Sequence, residues 1–433
     1  MKRHDRLCIG MSLAPTWLAQ EGWRAPDSGI EGLYTGELAV RIARASAHLD
    51  FLFRPDTTSL RVPALEQSFG FAGTDPTMQL AALARETRRI GLVTTTSTTF
   101  GHPYTIARQL MSLHWMSQGR AGWNVVTALQ GHENYGLTEM PSSQTRYARA
   151  EEFIDAVHSL WRSFPARAVL ADRAAGRYAD TSLIQHADHH GAAFDIAGPL
   201  TLPAFPGPRI PIMQAGASAA GVALAGRMAD MVFAQTLDKA AALAAATQLS
   251  QAAIAANRPA NAVRLLPGLN LYLGQTRKDA QALFRETQRR VTREQRLARV
   301  REALGLDLTE WSANRRLLPE DLPPDFVPRG NAQHSALLQR LVHEDTPTVA
   351  DLLSRPEVLS PVHWLIVGTP EKAAGIIADW FDSGAIDGFV AVPGGSTQSF
   401  DLTLGALVPL LRDEGLFRPR YSGNSLLHHL ESG

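Results

Sequence analysis

The segment from Ile90 to Ala128 reads IGLVTTTSTTFGHPYTIARQLMSLHWMSQGRAGWNVVTA, and it holds two short runs of strand character separated by a helical pattern. The runs Ile90–Ser97 and Ala121–Thr127 are rich in apolar and β-branched residues, as expected for parallel strands that are covered on both faces. Between them, Pro103–Ser117 has the spacing of a helix that begins at a proline. The segment therefore predicts a strand–helix–strand unit with parallel strands.

The same alternation continues on both sides of this unit. Six further runs have the character of buried strands: Leu7–Leu13, Phe51–Phe53, Ile210–Ala215, Met231–Ala234, Arg264–Leu273 and Gly388–Val392. Helical patterns lie between many of these runs, among them Asp75–Arg89, Tyr147–Trp161, Ser218–Met228 and Pro370–Ser383. Eight such strands with intervening helices predict an α/β fold of the (β/α)₈ TIM-barrel type.

The length of the chain exceeds what a barrel alone requires. A bare barrel takes about 250 residues, whereas this chain has 433. We therefore expect a single TIM-barrel domain over residues 1–433, with insertions at about 134–145, 164–208 and 276–362. The largest insertion separates the seventh predicted strand from the eighth. Insertions that follow the carboxyl ends of barrel strands build lids and pocket walls.

Composition and charge exclude several classes of protein. The 42 basic and 42 acidic side chains balance, which argues against a nucleic-acid partner. The single cysteine, Cys8, excludes an internal disulfide framework, and its place in an apolar strand indicates a packing role. There is no apolar run of about 18 residues and no signal-peptide pattern. We therefore expect a cytoplasmic protein that does not associate with membranes.

Four residues resemble a metal-binding cluster: His186, Asp188, His189 and His190. They fall in a predicted loop, where neither helical nor strand spacing would bring the ligands together. We therefore expect no metal site.

Polar side chains follow the second and third predicted strands, at the end of the barrel where active sites lie. Asp56 follows the second strand, and it could accept a hydrogen bond from a cofactor ring, act as a base or belong to an ordinary turn. Ser97 and Thr98 end the third strand in a hydroxyl-rich run. Strand propensity alone explains such a run, but its last hydroxyls could also orient a polar ligand.

The fifth predicted strand leads into PIMQAGASAAG, residues Pro211–Gly221. This is the pattern of a strand, a turn of small residues and the start of a helix. Gly216 permits unusual backbone angles, and Ser218 can cap the helix. Free backbone N–H groups at such a turn would cradle a phosphate. An ordinary strand–helix turn has the same appearance, so these residues alone leave both interpretations open.

Taken together, several segments resemble the bacterial-luciferase-like flavin monooxygenases, in particular the nitrilotriacetate, dibenzothiophene-sulfone and long-chain alkane monooxygenases. The matching segments are Ile90–Ala128, Arg146–Trp161, His189–Pro203, Pro211–Gly221, Val367–Pro393 and Gly415–Leu430. They follow one another in order over nearly the whole chain, and GRAGWNVVT at 119–127 is the most distinctive. The resemblance implies a TIM barrel that uses reduced FMN as a co-substrate, supplied by a separate flavin reductase that consumes NAD(P)H.

The resemblance also implies roles for residues near the flavin ring. By this comparison Asp56 approaches the edge of the ring, and Ser97 and Thr98 supply a pair of hydroxyls at the end of the third strand. Asn124, on the fourth strand, would lie beside the isoalloxazine.

A second group of residues would bind the phosphate of FMN. The resemblance gives this role to Tyr147 and to the turn Gly216–Ser218, which includes Ala217. Many relatives carry a histidine four residues before the tyrosine, whereas this chain has Ser143, which can donate a hydrogen bond but carries no charge.

The implied chemistry is the reaction of reduced FMN with dioxygen to a flavin 4a-hydroperoxide, which oxygenates a small organic substrate next to nitrogen or sulfur. His102, at a strand exit, is our candidate for a proton donor or hydrogen-bond partner, although a loop histidine with local partners is an equal alternative. Arg54 suits an anionic substrate or the anionic edge of the flavin, but it could instead pair with a nearby carboxylate.

Two other functions stay open at this point. One is hydride transfer by a flavin or deazaflavin enzyme on the same barrel, and the other is a non-catalytic flavin-binding relative. The residues after the third strand, Gly101–Thr105, depart from the family pattern. We therefore expect the part of the pocket that contacts the substrate to differ from that of the relatives. By resemblance we also expect a homodimer or homotetramer.

Overall fold

The structure is a computed structural model that describes residues 2–60, 62–66, 68–70, 72–216, 218–327, 332–359 and 363–431, without the side chains of 63, 64, 332 and 333. Its strands, in chain order, are β1 (Cys8–Ser12), β2 (Phe51–Arg54), β3 (Gly91–Ser97), β4 (Ala121–Val126), β5 (Val169–Asp172), β6 (Arg177–Ala179), β7 (His189–His190), β8 (Asp195–Ile196), β9 (Ile212–Ala215), β10 (Met231–Ala234), β11 (Arg264–Leu273), β12 (Trp364–Gly368) and β13 (Gly388–Pro393).

The helices occupy the intervals between the strands and the carboxyl-terminal region. They are α1 (Glu37–Ala45), α2 (Pro76–Glu86), α3 (Pro103–Met116), α4 (Ser143–Ser163), α5 (Ala219–Met228), α6 (Lys239–Ala255), α7 (Arg277–Thr287), α8 (Arg293–Leu304), α9 (Ala332–Asp345), α10 (Val349–Ser354), α11 (Pro356–Leu359), α12 (Pro370–Asp382), α13 (Thr397–Leu402), α14 (Val408–Asp413) and α15 (Leu426–Glu431).

Eight of the strands form a closed parallel barrel. Their order is β1, β2, β3, β4, β9, β10, β11 and β13, and β13 pairs back onto β1. This confirms the predicted TIM barrel, and all eight predicted strands agree with the observed ones within two residues at each end.

The sequence analysis missed one further parallel strand, β12. It pairs with the second half of β11, from Leu269 to Leu273, beyond the part of β11 that pairs with β10. Its sequence, WLIVG, is a short apolar run directly before α12. Periodicity does not separate such a run from the first turn of a buried helix, which is why the pattern did not reveal it.

The amino end of the barrel is filled by the carboxyl-terminal helix α15. Its residues Leu426 and Leu430 join the apolar cluster inside the barrel. Gly91 and Gly122 make room for this contact, because a β-carbon on either glycine would lie 2.6 Å from a side-chain carbon of Leu426. With this end packed, the opposite end, where the strands have their carboxyl termini, is the one left for a functional site.

The segments expected to be insertions carry additional structure of their own. Two short antiparallel hairpins, β5–β6 and β7–β8, lie between α4 and β9. Helices α7 to α11 follow β11, and residues from Leu297 to Val358 in this region form a separate apolar cluster.

The structure also places the single cysteine and two histidines of the cluster that resembles a metal site. Cys8 is buried in β1, and burial raises the pKa of its thiol. His189 lies 3.3 Å from a carboxylate oxygen of Glu152, and His190 lies 2.7 Å from one of Asp195. Within the described ranges, no group of three or more potential ligands is placed to hold a metal, and no helix is long and apolar enough to cross a membrane.

Candidate active site

A cavity of about 460 Å³ opens at the carboxyl end of the barrel, and we call it the strand-end cavity. It lies above β2, β3, β4, β9 and β10. Its lining consists of Asp56, Thr57, Thr58, Thr95, Ser97, residues 126–130, Ala215, Gly216 and residues 233–235. Three of the residues singled out from the sequence, Asp56, Ser97 and Gly216, are therefore brought together here.

Next to this cavity, three polar side-chain atoms converge on two glycines. A β-carbon on Gly216 would lie 2.9 Å from Tyr147 Oη and 3.0 Å from Gln214 Nε2. A β-carbon on Gly221 would lie 2.8 Å from the same hydroxyl and 3.3 Å from both Gln214 Nε2 and Ser218 Oγ. We call this arrangement the polar cradle, and any other residue at either glycine would crowd it.

Local structure explains how the cradle is assembled. Ser218 caps α5 by accepting a hydrogen bond from the Gly221 N–H at 3.2 Å. The amino end of α5, with its partial positive charge, therefore faces the cradle. Gly216 has a φ of 142°, a conformation that side chains disfavour. Tyr147 comes from the second turn of α4, which packs against α5.

Gln214 ends the buried part of β9, and its two side-chain atoms have different surroundings. Its Nε2 donates a hydrogen bond to the Ala215 carbonyl at 2.8 Å. Its Oε1 is buried and has no hydrogen-bond partner among the described residues. Buried polar atoms are normally paired, so an unpartnered oxygen beside an open cavity indicates a place for a donor of a ligand.

A short chain of hydrogen bonds supports the floor of the strand-end cavity. Asn124 Nδ2 donates to Thr95 Oγ1 at 2.9 Å, and this hydroxyl donates to the Arg54 carbonyl at 2.8 Å. Thr95 lines the cavity, whereas Asn124 lies behind it and is 2% exposed. The Asn124 Oδ1 atom is buried without a partner in the described part of the chain. Asn124 therefore holds Thr95 in position.

Arg54 and Asp56 follow β2 but differ in their surroundings. The Arg54 guanidinium is buried, donates to the carbonyls of Pro55 and Thr74 at 3.2 and 3.4 Å, and does not line the cavity. Burial lowers its pKa, an effect that Asp56 and Asp75 oppose. The Asp56 carboxyl reaches solvent through the cavity, yet the protein atoms around it raise its pKa, against the effect of the Thr57 N–H and Arg54.

Four of the residues singled out from the sequence lie away from the cavity or outside the described residues. His102 is exposed, caps α3 by accepting from the Tyr104 N–H at 3.3 Å, and meets the edge of the Phe194 ring. Thr98 is buried and donates to the Val126 carbonyl at 3.2 Å. Ser143 is exposed at the start of α4, where Ser142 is the cap. Ala217 lies outside the described residues.

Sequence reasoning missed Gln214, Thr95 and Phe233, all of which the structure places at the cavity or the cradle. A signal for Gln214 was available, because a polar residue near the end of an apolar strand is unusual unless it has a partner or a ligand. For Thr95 and Phe233 there was none, since hydroxyl-bearing and aromatic residues are common in strands.

The chain as a whole is similar to several known proteins. The family model "luciferase-like monooxygenase" matches residues 58–386. Nitrilotriacetate monooxygenase component A of Aminobacter aminovorans is 33% identical, over 99% of this chain and 97% of that protein. EDTA monooxygenase EmoA of Chelativorans sp. BNC1 superposes with a TM-score of 0.80 at 28% identity, covering 98% of each chain. The riboflavin lyase RcaE, solved with modified FMN and riboflavin, superposes with a TM-score of 0.78 at 25% identity over 99% of this chain and 96% of that one.

These matches extend over most of the chain, and the structural neighbours share its overall fold. They confirm the resemblance that the sequence motifs suggested. The chain therefore belongs to the luciferase-like monooxygenases.

Proposed function

We propose that the protein is a reduced-FMN-dependent monooxygenase, with FMN bound in the strand-end cavity and its phosphate in the polar cradle. The cradle is the observation that carries this proposal. The Tyr147 and Ser218 hydroxyls and the Gln214 amide surround a gap that exists only because Gly216 and Gly221 have no side chains. Hydroxyls, an amide N–H and a helix amino end are the donors that suit a phosphate.

The rest of the cavity fits a flavin ring. Thr95 and Ser97 offer hydroxyls, Val126 and Phe233 offer apolar surface, and the Asp56 carboxylate can accept hydrogen bonds from ring N–H groups. The unpartnered Oε1 of Gln214 adds a further acceptor near the cradle. When bound, reduced FMN would supply the electrons that activate dioxygen.

The remaining side chains hold this frame in place. Asn124 fixes the Thr95 hydroxyl from behind, and the Arg54 guanidinium ties the start of the loop after β2 through the Pro55 and Thr74 carbonyls. Both are positioning residues in this proposal. His102 remains our candidate for a proton donor in the substrate-bound enzyme, although it caps α3 in this structure.

The reaction would also need a source of reduced flavin and an organic substrate. A relative named as component A of a monooxygenase supports a separate flavin reductase, which would use NAD(P)H. The relatives' named substrates, nitrilotriacetate and EDTA, support oxidation next to nitrogen, with sulfur as the other candidate. We also propose a homodimer or homotetramer in the cytoplasm.

Titration of the protein with FMN and with riboflavin, which lacks the phosphate, tests the cradle. In the double variant Tyr147→Phe/Ser218→Ala, two hydroxyls can no longer donate to a charged group, so FMN affinity should fall by about tenfold to a hundredfold. Riboflavin affinity should stay unchanged. Tyr178→Phe, on an exposed tyrosine of β6, is the control. Unchanged FMN affinity in the double variant would overturn the phosphate assignment.

Oxygen chemistry needs a second measurement. Mixed with FMN, a flavin reductase, NAD(P)H and a panel of amines and sulfones, the protein should incorporate one atom of ¹⁸O₂ into a product. An enzyme that passes hydride would put no ¹⁸O into any product and would pass electrons from the flavin to an organic acceptor without consuming oxygen, which would contradict the proposal.

A further inference from the structure

A second cavity, of about 1030 Å³, lies outside the barrel wall, between β12 and helices that follow β11. The insertion helices, β12, α12 and the start of α6 contribute to its lining. We call it the basic cavity because six cationic side chains line it: Lys239, Arg277, Arg285, Arg296, Arg355 and Lys372.

Two of these six cations are neutralised by nearby carboxylates. Lys239 lies 2.7 Å from an Asp379 oxygen, and Arg355 lies 2.6 Å from an Asp345 oxygen. Neither carboxylate lines the cavity. These two pairs therefore contribute little net charge to it.

The other four cations form no ion pair with a carboxylate within the described ranges. Arg296 donates to the carbonyls of Val291 and Leu353 at 3.1 and 3.2 Å, and Lys372 donates to the Val367 carbonyl at 3.3 Å. Backbone carbonyls leave the full positive charge in place. Arg277 and Arg285, two turns apart on the same face of α7, are exposed.

Carboxylates at the cavity compensate only part of this charge. Asp238 pairs with Arg340, and the other lining carboxylate is Glu357. Four uncompensated cations against one carboxylate leave an excess of about three positive charges around a concave, partly desolvated space, which favours an anionic ligand.

The cavity also contains buried hydrogen-bond acceptors that lack partners. Gln288 is only 5% exposed, and its amide oxygen Oε1 has no hydrogen-bond partner in the described part of the chain. The carboxylate oxygen Glu357 Oε2 is also buried without a partner among those residues. Burial lowers the pKa of His363 to about 4, so this ring is neutral near pH 7. The two unpartnered oxygens suit a ligand that donates N–H or O–H hydrogen bonds as well as carrying negative charge.

The remaining wall is apolar. The rings of Trp364 and Trp380 stack at 3.9 Å with an interplanar angle of 12°, and Phe284 and Leu359 add to the same lining. Such a wall suits the body of an organic molecule and not a small inorganic anion.

We propose that the basic cavity is a second ligand site, which takes an organic anion with an apolar body, two acidic groups and at least one N–H or O–H donor. The site lies next to the strand-end cavity. His363 lines the basic cavity, Phe233 lines the strand-end cavity, and their rings are 5.7 Å apart. Binding at this site needs no flavin, so the test of this proposal does not depend on the proposed function.

Calorimetric titration of the full chain without flavin tests this site. The probe is 5-aminoisophthalate, which joins two carboxylates and an amine to one aromatic ring. Its matched control is 5-aminoisophthalamide, in which the same ring carries no charge. The dianion should bind at least about tenfold more tightly than the diamide. Added salt should weaken the binding of the dianion and leave that of the diamide unchanged. Equal affinities would overturn the proposal.

A pair of charge-reversal variants then locates the binding. Arg277→Glu/Arg285→Glu should lower the affinity for the dianion by about tenfold or more, because attraction becomes repulsion in a partly desolvated space. Lys278→Glu/Arg293→Glu makes the same change in net charge at exposed positions of α7 and α8 that do not line the cavity, and it should leave the affinity within about twofold. Equal weakening by both variants would show diffuse attraction to the surface and overturn the site.

Discussion

The hydroxyl oxygen of Tyr147 lies 2.9 Å from the point that a β-carbon on Gly216 would occupy. Tyr147 belongs to α4, and Gly216 directly follows the strand β9, so the contact joins one strand–helix unit of the barrel to the next. Because glycine leaves this point empty, the hydroxyl faces an open position beside the amino end of α5.

Gly221→Ala should weaken FMN binding without destabilising the fold. The new methyl would lie 2.8 Å from Tyr147 Oη and would fill the polar cradle, while alanine is a better helix former than glycine. We expect at least about tenfold lower FMN affinity with riboflavin binding unchanged. Gly375→Ala, in α12, has open space around it and is the control for helix propensity. Equal loss for FMN and riboflavin would mean that the methyl disturbs the whole cavity.

Asp56→Asn should stabilise the free protein at pH 7. Its surroundings raise the pKa of the Asp56 carboxyl, so the folded state holds the proton more tightly than the unfolded chain and the ionised form costs stability. Solvent reaches the group, so the gain should be about 0.5 kcal/mol or less. It should shrink as the pH falls through the raised pKa and vanish below the unfolded value of about 3.9.

Urea unfolding at pH 7 and pH 4 measures this difference, with Asp401→Asn on the exposed face of α13 as the control. A variant less stable than the wild type at pH 7 would show that Asp56 is stabilised as a carboxylate. The same Asp56→Asn variant should turn over more slowly if the carboxylate holds the flavin ring.

Arg120→Met should destabilise the barrel strongly. The guanidinium is buried and donates to the carbonyls of Ser117, Ile90, Ala84 and Thr87 and to the Thr87 hydroxyl, at 2.7 to 3.2 Å. Methionine preserves the volume but leaves these buried oxygens unpaired. We expect the free energy of unfolding to fall by about 3 kcal/mol or more.

Equilibrium urea unfolding measures the free energy of unfolding. The matched control is Arg88→Met on the exposed surface, which should change this free energy by less than about 0.5 kcal/mol. A loss below 1 kcal/mol for Arg120→Met, in the range of an average substitution, would contradict the structural role of this arginine.

Glu21→Gln should loosen the connection between the loop after β1 and the segment between α7 and α8. The Glu21 side chain is 10% exposed and contacts Arg24, Arg289 and Arg290, with Arg290 Nε at 2.8 Å from Oε1. The neutral amide cannot compensate three guanidinium groups. Hydrogen exchange in residues 288–292 should therefore become about tenfold faster. Glu286→Gln, which removes a more exposed partner of Arg289, should change exchange much less.

Local patterns in the sequence account for most of the barrel. The alternation of apolar runs with helical spacing located eight strands, because doubly covered parallel strands must be apolar nearly throughout. The turn after β9 could also be predicted, because serine is a favoured helix-capping residue and Ser218 stands directly before the helical pattern. The pattern missed β12, whose run is too short for periodicity to classify.

Sequence motifs were enough to assign the barrel and the family, and to indicate that the turn Gly216–Ser218 could receive an anion. The tertiary structure added that Gln214 joins Tyr147 at this turn, that His102 caps a helix, and that Arg277 shares a cavity with Gln288. The physical reason is that hydrogen-bonding and helical periods act within a few residues of the chain. Contacts between distant side chains depend instead on how each helix packs against its neighbours, and no local pattern records that packing.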